Sequence, residues 1–260
     1  MIPGARQVWE VAMELPIASG QVCTVVGTRF ASFREMPRVV LASELPSLLA
    51  ADDPALRPSS ILIGQGLDAI EADRIRAQCR AHGVATSPDA DFSARMAGER
   101  EVHKTQPSNV LITVPARTGP SLYQSELMIH SQNELMLDHY SAMHTPAMVL
   151  VEAARQMFLA VTELYYLGPE RAGSCRFLID AMNMRFHLAV FPLPTVLQYQ
   201  VLQHEEKKAQ SQFQVLVEPI QGGRRCAEFN ITFTAVDLRI ALKQERIAAT
   251  AMLKAYSPVS

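Results

Sequence analysis

The chain has 260 residues, of which 48% are hydrophobic, and its 24 basic and 26 acidic residues give a formal net charge of −2. This length accommodates one large domain or two modest ones. The nearly balanced charge and the lack of a long basic run argue against a nucleic-acid-binding protein. No apolar run approaches the ~20 residues that span a bilayer, and the N-terminus does not read as a signal peptide. We therefore expect a soluble, cytoplasmic protein.

The cysteines and histidines do not form a metal-binding pattern. The four cysteines are widely separated and contain no Cys-x-x-Cys pair, which favours reduced, buried thiols over a disulfide framework. The histidines also lack the spacing of metal ligands. We therefore predict no metal and no cofactor.

Residues 1–95 are predicted to form a small α/β domain of unknown role, because short β-branched runs alternate with helical segments. The predicted strands and helices cover residues 22–26, 38–41, 43–51, 60–63 and 68–82. Gly27, Gly64 and Gly66 follow strands, which is compatible with a nucleotide-binding loop or with tight turns. The missing third glycine and the missing Gly-Lys-Ser/Thr motif favour tight turns.

The polar, turn-rich segment 87–100 is predicted to link this domain to a second one, residues 96–260. The second domain is rich in long strands. These are predicted at residues 110–114, 123–129, 176–188, 196–203, 212–218 and 228–236. A hairpin turn is expected at Gln221–Gly223, and a last helix at residues 240–255.

The most informative segment runs from Asp138 to Gln156. A polar loop with two histidines leads through Pro146 into an apolar helix of about twenty residues that ends near Gly168. Glu152 interrupts this apolar helix. A buried carboxylate costs free energy unless it is paired, and Arg155 lies three residues away on the same face. The segment is therefore a candidate functional site.

The pattern Asp-His, His, Pro, Met and Glu-Ala-Ala-Arg-Gln in this segment resembles the signature of the A-factor biosynthesis (γ-butyrolactone synthase) hotdog family. More distantly it resembles the 3-hydroxyacyl-carrier-protein dehydratases. Val102–Lys104, which we expect to begin a strand at an edge or interface, and Met184–Pro192 are similar to flanking segments of the A-factor family. The resemblance covers about residues 100–236. It implies an α+β chain in which a hotdog fold, an antiparallel sheet wrapped around a long helix, follows the small α/β domain.

The resemblance also implies chemistry on acyl thioesters, which needs an acid or base close to the substrate. Glu152 is our first candidate for the catalytic carboxylate; the alternative is a structural acid paired with Arg155. Burial raises the pKa of a carboxyl group and a nearby arginine lowers it, so the sequence leaves its protonation state open. His139 and His144 are candidates for proton transfer, or else they form capping or loop hydrogen bonds.

Five further residues are candidates for substrate binding. Ala147 and Met148 begin the helix, where unpaired backbone N–H groups can polarise a thioester carbonyl, although related families commonly have glycine in place of Ala147. Arg155 and Gln156 either orient the acid, bind an oxygenated second substrate such as a phosphorylated triose, or anchor the helix. Asp138 stands where the dehydratases have their loop histidine, and this difference favours the A-factor family.

Three functions follow as hypotheses. The first is an acyltransferase that moves an acyl or β-ketoacyl group from a carrier-protein or CoA thioester to a small hydroxylated acceptor, in signal or secondary-metabolite biosynthesis. The second is a dehydratase, hydratase or thioesterase acting on the same thioesters. The third is a non-catalytic binding or scaffold protein that kept the fold.

A homodimer is expected from the architecture. A single hotdog leaves a sheet edge with unpaired backbone groups, and pairing with a second copy satisfies them and completes the acyl tunnel. The strand around residues 229–234 or the strand at 176–188 is predicted to supply this edge.

Overall fold

The computed structural model contains two β-sheets and the helices that pack on them. The residues that it describes are 22–51, 57–87, 95–137, 143–168, 170–207 and 209–256. Half of the predicted linker, residues 88–94, therefore lies outside the described residues, and the boundary between residues 95 and 96 stays a prediction.

A parallel sheet forms the N-terminal part of the chain. Its strands are β1 (Val22–Val26), β2 (Val39–Leu41), β3 (Ser60–Ile63) and β4 (Ala85–Ser87), and its helices are α1 (Leu45–Leu49) and α2 (Ala69–Ala81). The strand order is β2-β1-β3-β4. The first three strands and both helices confirm the predicted elements. The short strand β4, which is not apolar, and a 3-10 helix at Thr28–Glu35 were not predicted.

Helix α2 is the best-defined element of this part. Asp68 accepts a hydrogen bond of 2.6 Å from the Glu71 backbone N–H, and the Glu71 carboxylate accepts one of 2.9 Å from the Asp68 backbone N–H. This reciprocal capping box satisfies two of the unpaired donors at the helix start. Ile75 and Cys79 are buried. The helix ends before Gly83, whose φ of +68° suits a glycine.

The glycines that follow strands allow close backbone packing. Their N–H groups are already bonded: Gly27 donates to the Gln65 carbonyl oxygen, Gly64 to that of Val25, and Gly66 to that of Ile129. A Cβ atom on Gly27 would clash with the Gly66 carbonyl. This geometry favours tight turns over a phosphate-binding loop, because these three backbone donors already bond to carbonyl oxygens of the protein.

An antiparallel sheet of seven strands forms the second part. Its strands are β5 (Ala116–Gly119), β6 (Leu122–Glu126), β7 (Cys175–Phe186), β8 (Val196–Lys207), β9 (Gln210–Gln221), β10 (Arg224–Arg225) and β11 (Ala227–Asp237). The strand order is β5-β6-β8-β9-β11-β7, and β10 pairs with β9. Gly222 and Gly223, at φ of 56° and 72°, make the predicted hairpin turn.

The long helix α4 (Ala147–Tyr165) lies against this sheet, so the predicted hotdog fold is confirmed. Apolar residues cover the helix except for one polar stripe, which contains Glu152, Arg155 and Gln156. Most of the apolar residues are fully buried. The Phe158 ring stacks on the Phe233 ring of β11 with 4.3 Å between centroids. Each such buried ring contributes roughly 1.5–3 kcal/mol of transfer free energy.

Two strand predictions are wrong in detail. Residues 110–114 form no strand but only isolated bridges, such as that between Ile112 and Leu127. The residues 229–234 are not at an edge, because β11 lies between β9 and β7. The other candidate, β7, is an edge strand, as is β5 at the opposite end of the strand order.

The two sheets are joined through the carboxyl end of β3. The buried side chain of Gln65 donates a hydrogen bond of 2.8 Å to the Leu127 carbonyl oxygen and accepts one of 2.8 Å from the Ile129 N–H. The stacked rings of Phe33 and Phe191 add an apolar contact, with centroids 5.8 Å apart. A buried amide whose oxygen and nitrogen are both bonded specifies one relative position of the joined backbones.

Two helices complete the fold: the single turn α3 (Glu134–Leu137) and the predicted last helix α5 (Leu238–Ala255). The Asp237 carboxylate caps α5 by accepting a hydrogen bond from the Arg239 N–H. Most of α5 is exposed, including its basic residues. Across the described part of the chain, no helix is both long enough and apolar enough to pass through a bilayer.

Candidate functional site

The first two residues of α4 are exposed, although most of the helix between them and Leu164 is buried. Pro146 is the N-cap residue rather than the first helical residue, and its carbonyl oxygen accepts a hydrogen bond from the Val149 N–H. Ala147 and Met148 are exposed, and the Met148 side chain keeps 60% of its surface. The first backbone N–H groups of a helix have no partner within it, so this end can bind a negatively charged or polarised oxygen.

One turn further along, Glu152 is the centre of a charged cluster. Its Oε2 atom accepts a hydrogen bond of 2.7 Å from Arg155 Nε, and its Oε1 atom accepts one of 2.9 Å from Arg155 Nη2. Lys104 Nζ lies 2.8 Å from Oε1. Gln156 Nε2 donates to the same oxygen at 3.0 Å. The four side chains form what we call the Glu152 cluster.

The cluster determines the charge of Glu152. Burial raises the pKa of this carboxyl group, but the hydrogen bonds from Arg155, Lys104 and Gln156 outweigh burial, so its pKa is lowered. Glu152 is therefore ionised at neutral pH, which resolves the question that the sequence left open. An ionised carboxylate can accept a proton or attract a cationic group, but it cannot act as a general acid.

Gln156 connects this cluster to the segment before β5. It is fully buried, its Oε1 atom accepts a hydrogen bond of 2.7 Å from the Leu111 N–H, and its Nε2 atom donates one of 2.8 Å to the Asn109 carbonyl oxygen. Together with the bond to Glu152, these contacts use both ends of the amide. This geometry favours the helix-anchoring interpretation of Gln156 over direct contact with a substrate.

Side chains from the turn at Val102–Lys104 pair with two acids of α4. The expectation that this segment begins a strand is wrong: His103 has a φ of +53°, which ends any extended run. Lys104 pairs with Glu152, and His103 Nε2 lies 3.2 Å from Glu163 Oε1. The other oxygen of Glu163 accepts a hydrogen bond of 2.8 Å from the Gly173 N–H. Both residues therefore pair with acids of α4, and the His103 ring also packs edge-on against the Phe177 ring of β7, with 5.2 Å between centroids.

Lys104 is the site residue that the sequence interpretation missed. It is separated from Glu152 by 48 residues, and no periodicity connects the two. The available signal was charge. A carboxylate within an apolar helix needs charged or hydrogen-bonding partners, and the helix itself supplies one cation, Arg155, so a further partner from elsewhere in the chain could have been expected.

The histidine loop is described only in part. His144 is exposed and lies two residues before the N-cap of α4, and the Thr145 N–H donates to the Val190 carbonyl oxygen. Asp138 and His139 lie outside the described residues. Their predicted roles, like that of His144, stay predictions.

Comparisons with known proteins agree with the fold. The family described as A-factor biosynthesis hotdog domain matches residues 84–237, which is more than half of the chain. A search of curated proteins finds none that matches.

Solved structures with a similar fold share little sequence with this chain. A conserved protein from Pseudomonas aeruginosa is 15% identical, with a TM-score of 0.37, covering 54% of this chain and 100% of that one. The dehydratase heterocomplex ApeI:P from Xenorhabdus doucetiae is 13% identical, with a TM-score of 0.42, covering 54% and 90%. A thioesterase from Haemophilus influenzae is 11% identical, with a TM-score of 0.37, covering 50% and 82%.

The match over residues 84–237 coincides with the antiparallel sheet, α4 and the Glu152 cluster. The chain therefore belongs to the A-factor biosynthesis hotdog domain family.

Proposed function

We propose that this protein is an acyltransferase. It takes an acyl or β-ketoacyl group from a carrier-protein or CoA thioester and passes it to a small hydroxylated acceptor. The observation that carries the proposal is the pairing of the Glu152 carboxylate with two cations, one turn from the exposed N-terminus of the hotdog helix. The two parts supply a base and an oxyanion donor, which acyl transfer requires.

In this proposal the thioester carbonyl lies at the N-terminus of α4, where the N–H groups of Ala147 and Met148 stabilise the negative charge that develops on its oxygen. Glu152 accepts the proton of the acceptor hydroxyl through Oε2, whose single side-chain donor among the described residues is Arg155. The hydroxyl oxygen forms the new ester bond as the C–S bond of the thioester breaks, and the thiolate that leaves takes up this proton. His144, with His139 from the same loop, would take part in proton transfer, and Asp138 would contact the substrate.

Lys104 and Arg155 would select the acceptor. Their side chains are 24% and 27% exposed, so a second substrate can reach them. Two cations beside one carboxylate leave one positive charge in excess. A phosphorylated acceptor such as a phosphorylated triose supplies the matching charge, and arginine binds phosphate well through its planar donors.

The test compares two acids on the same helix. Glu152→Gln keeps the shape and removes the charge, while Glu163→Gln makes the same change at the acid that pairs with His103. The variants are incubated with acyl-carrier thioesters and triose phosphate, and products are measured by mass spectrometry. We expect Glu152→Gln to reduce transfer by ~10²-fold or more and Glu163→Gln to leave most of it. Equal losses in two folded variants would show that both effects are structural.

The same assay separates transfer from the second hypothesis. A thioesterase, dehydratase or hydratase would form product without any acceptor, because water or the β-hydroxyl of the substrate takes part instead. We expect product only when the acceptor is present. Hydrolysis or dehydration at the same rate without it would replace the proposed reaction.

A non-catalytic role is the second candidate, and one observation favours it. The Oε1 atom of Glu152 already accepts three hydrogen bonds, and the lowered pKa makes the carboxylate a weak base. A purely structural cluster would have the same geometry. Under this alternative Glu152→Gln changes stability but leaves the biological output of the protein intact.

We also propose that the protein forms a homodimer through β7. This edge strand exposes large apolar residues, which are Leu178, Ile179, Met184 and Phe186. A second copy that pairs with this edge would satisfy its backbone groups and cover these side chains. Light scattering should give a mass near twice 28.7 kDa. Ile179→Lys should produce monomers, whereas Ile70→Lys, at an exposed position on α2, should not.

A further inference from the structure

A cavity of about 400 Å³ lies between α2 and the antiparallel sheet. Its volume falls within the range of small-molecule sites, roughly 300–1,000 Å³. Glu126 and Val196 line it from the sheet, and they alternate along their strands with the buried residues Ser125 and Leu197. The cavity is therefore on the face of the sheet that points away from α4. Its described lining residues include none from the Glu152 cluster.

The walls of the cavity are mainly apolar. Helix α2 and the end of β3 form one side, and the residues around the start of β8 form the other. The apolar lining residues include Leu67, Ala69 and Ala72 on one side and Met128, Leu193 and Val196 on the other. Such a lining excludes water from the centre of the cavity and suits an alkyl chain.

Arg76 supplies a hydrogen-bond donor in this apolar setting. Its side chain is 14% exposed, and its Nη1 atom donates a hydrogen bond of 3.0 Å to the Asp73 carboxylate. Its Nε atom is buried, and no described residue accepts a hydrogen bond from it. A buried N–H without an acceptor destabilises the folded protein, so this atom is a natural position for an acceptor on a ligand.

Glu126 faces the same cavity from β6. Burial raises the pKa of its carboxyl group, and the charge of Arg76 acts in the opposite direction. No hydrogen bond or ion pair joins this carboxyl group to another described residue, so it is available to a hydroxyl group. The charged side chains among the described lining residues are two arginines, Arg76 and Arg95, and two acids, Asp73 and Glu126. Their formal charges cancel, so the site does not favour an ionic ligand.

We propose that this cavity binds a neutral amphiphile. Its medium-length alkyl chain lies against the apolar walls, a carbonyl oxygen accepts a hydrogen bond from Arg76 Nε, and a neighbouring hydroxyl group bonds to Glu126. This site goes beyond the proposed function, because it is separate from the Glu152 cluster. It also lies where the two sheets meet, so a bound molecule contacts both parts of the chain.

Calorimetric titration of the full-length protein tests the chemistry of the ligand, with methyl 3-hydroxyoctanoate as the neutral probe and octanoate and octylamine as charged ones. We expect saturable binding of the neutral probe, at least ten times tighter than that of either charged probe. Tighter binding of octanoate or octylamine would overturn the neutral assignment. Failure of all three to bind would overturn the site.

Paired variants test the location. Ala69 is exposed at the start of α2 and lines the cavity, so Ala69→Phe should fill it and weaken binding at least tenfold. Ala77→Phe places the same ring elsewhere on the exposed surface of α2 and should not. Arg76→Met should weaken binding similarly, and Arg74→Met should not. Binding that survives Ala69→Phe but is lost in Glu152→Gln would place the ligand at the Glu152 cluster and refute the proposal.

Discussion

Replacing Gln156 by leucine tests how the Glu152 cluster is anchored. Leucine has a similar size and suits a helix, so the change mainly removes hydrogen bonds. It deletes the acceptor of the Leu111 N–H and the donors to the Asn109 carbonyl oxygen and to Glu152.

The expected loss of unfolding free energy depends on how deeply each hydrogen-bond partner of Gln156 is buried. Leu111 is fully buried, so its N–H loses the acceptor that it has among the described residues without gaining water, which costs about 1–3 kcal/mol. Asn109 is half-buried and Glu152 keeps both cations, so we add about 1 kcal/mol for these two groups together. We expect Gln156→Leu to lower the free energy of unfolding by about 2–4 kcal/mol.

Urea denaturation at pH 7 measures this change, and Gln244→Leu, on the exposed face of α5, is the control. Amide hydrogen exchange adds a local readout, because the Leu111 amide should lose protection more than those of the central strands. A loss below about 0.5 kcal/mol, the usual range of a surface substitution, would show that the buried amide does not anchor this segment.

Two further predictions concern charge and packing. Because the folded-state pKa of Glu152 is lowered, its cluster stabilises the protein above the unfolded pKa of about 4.3, and this contribution is lost as the pH falls through the folded value. The unfolding free energies of the wild type and of Glu152→Gln should therefore differ most near pH 7 and become equal in acid. A difference that does not depend on pH would contradict the ionisation of Glu152 within its cluster. Gly27→Ala should lower the free energy of unfolding by at least ~2 kcal/mol in the same urea assay, because the new Cβ meets the Gly66 carbonyl. Gly168→Ala, which has open space around the new Cβ, should change it by no more than ~0.5 kcal/mol. Equal effects of the two glycine variants would refute the close-packing argument.

Local sequence patterns predicted the elements that carry the site. The apolar run after Pro146 identified α4, because a buried helix needs apolar residues on nearly every face, and Glu152 stood out against that run. Alternating residues such as Phe229, Ile231 and Phe233 identified a strand with one buried face, and all three are fully buried. These signals are local, so they can be read without knowing what packs against them.

The tertiary structure decided which residues pair with the site residues and which strands are neighbours, because these partners are distant in the chain. Whether Glu152 is ionised depends on Lys104, which arrives from a turn 48 residues away, and on the depth of burial. Whether a strand lies at an edge depends on sheet order, and for this reason β7 and β11 were not distinguishable beforehand. The cavity beside Arg76 exists only where two separate sheets meet. The sequence by itself thus determined which helix and strands form and which carboxylate is unusual, whereas long-range contacts determined its charge, its neighbours and the space left for a ligand.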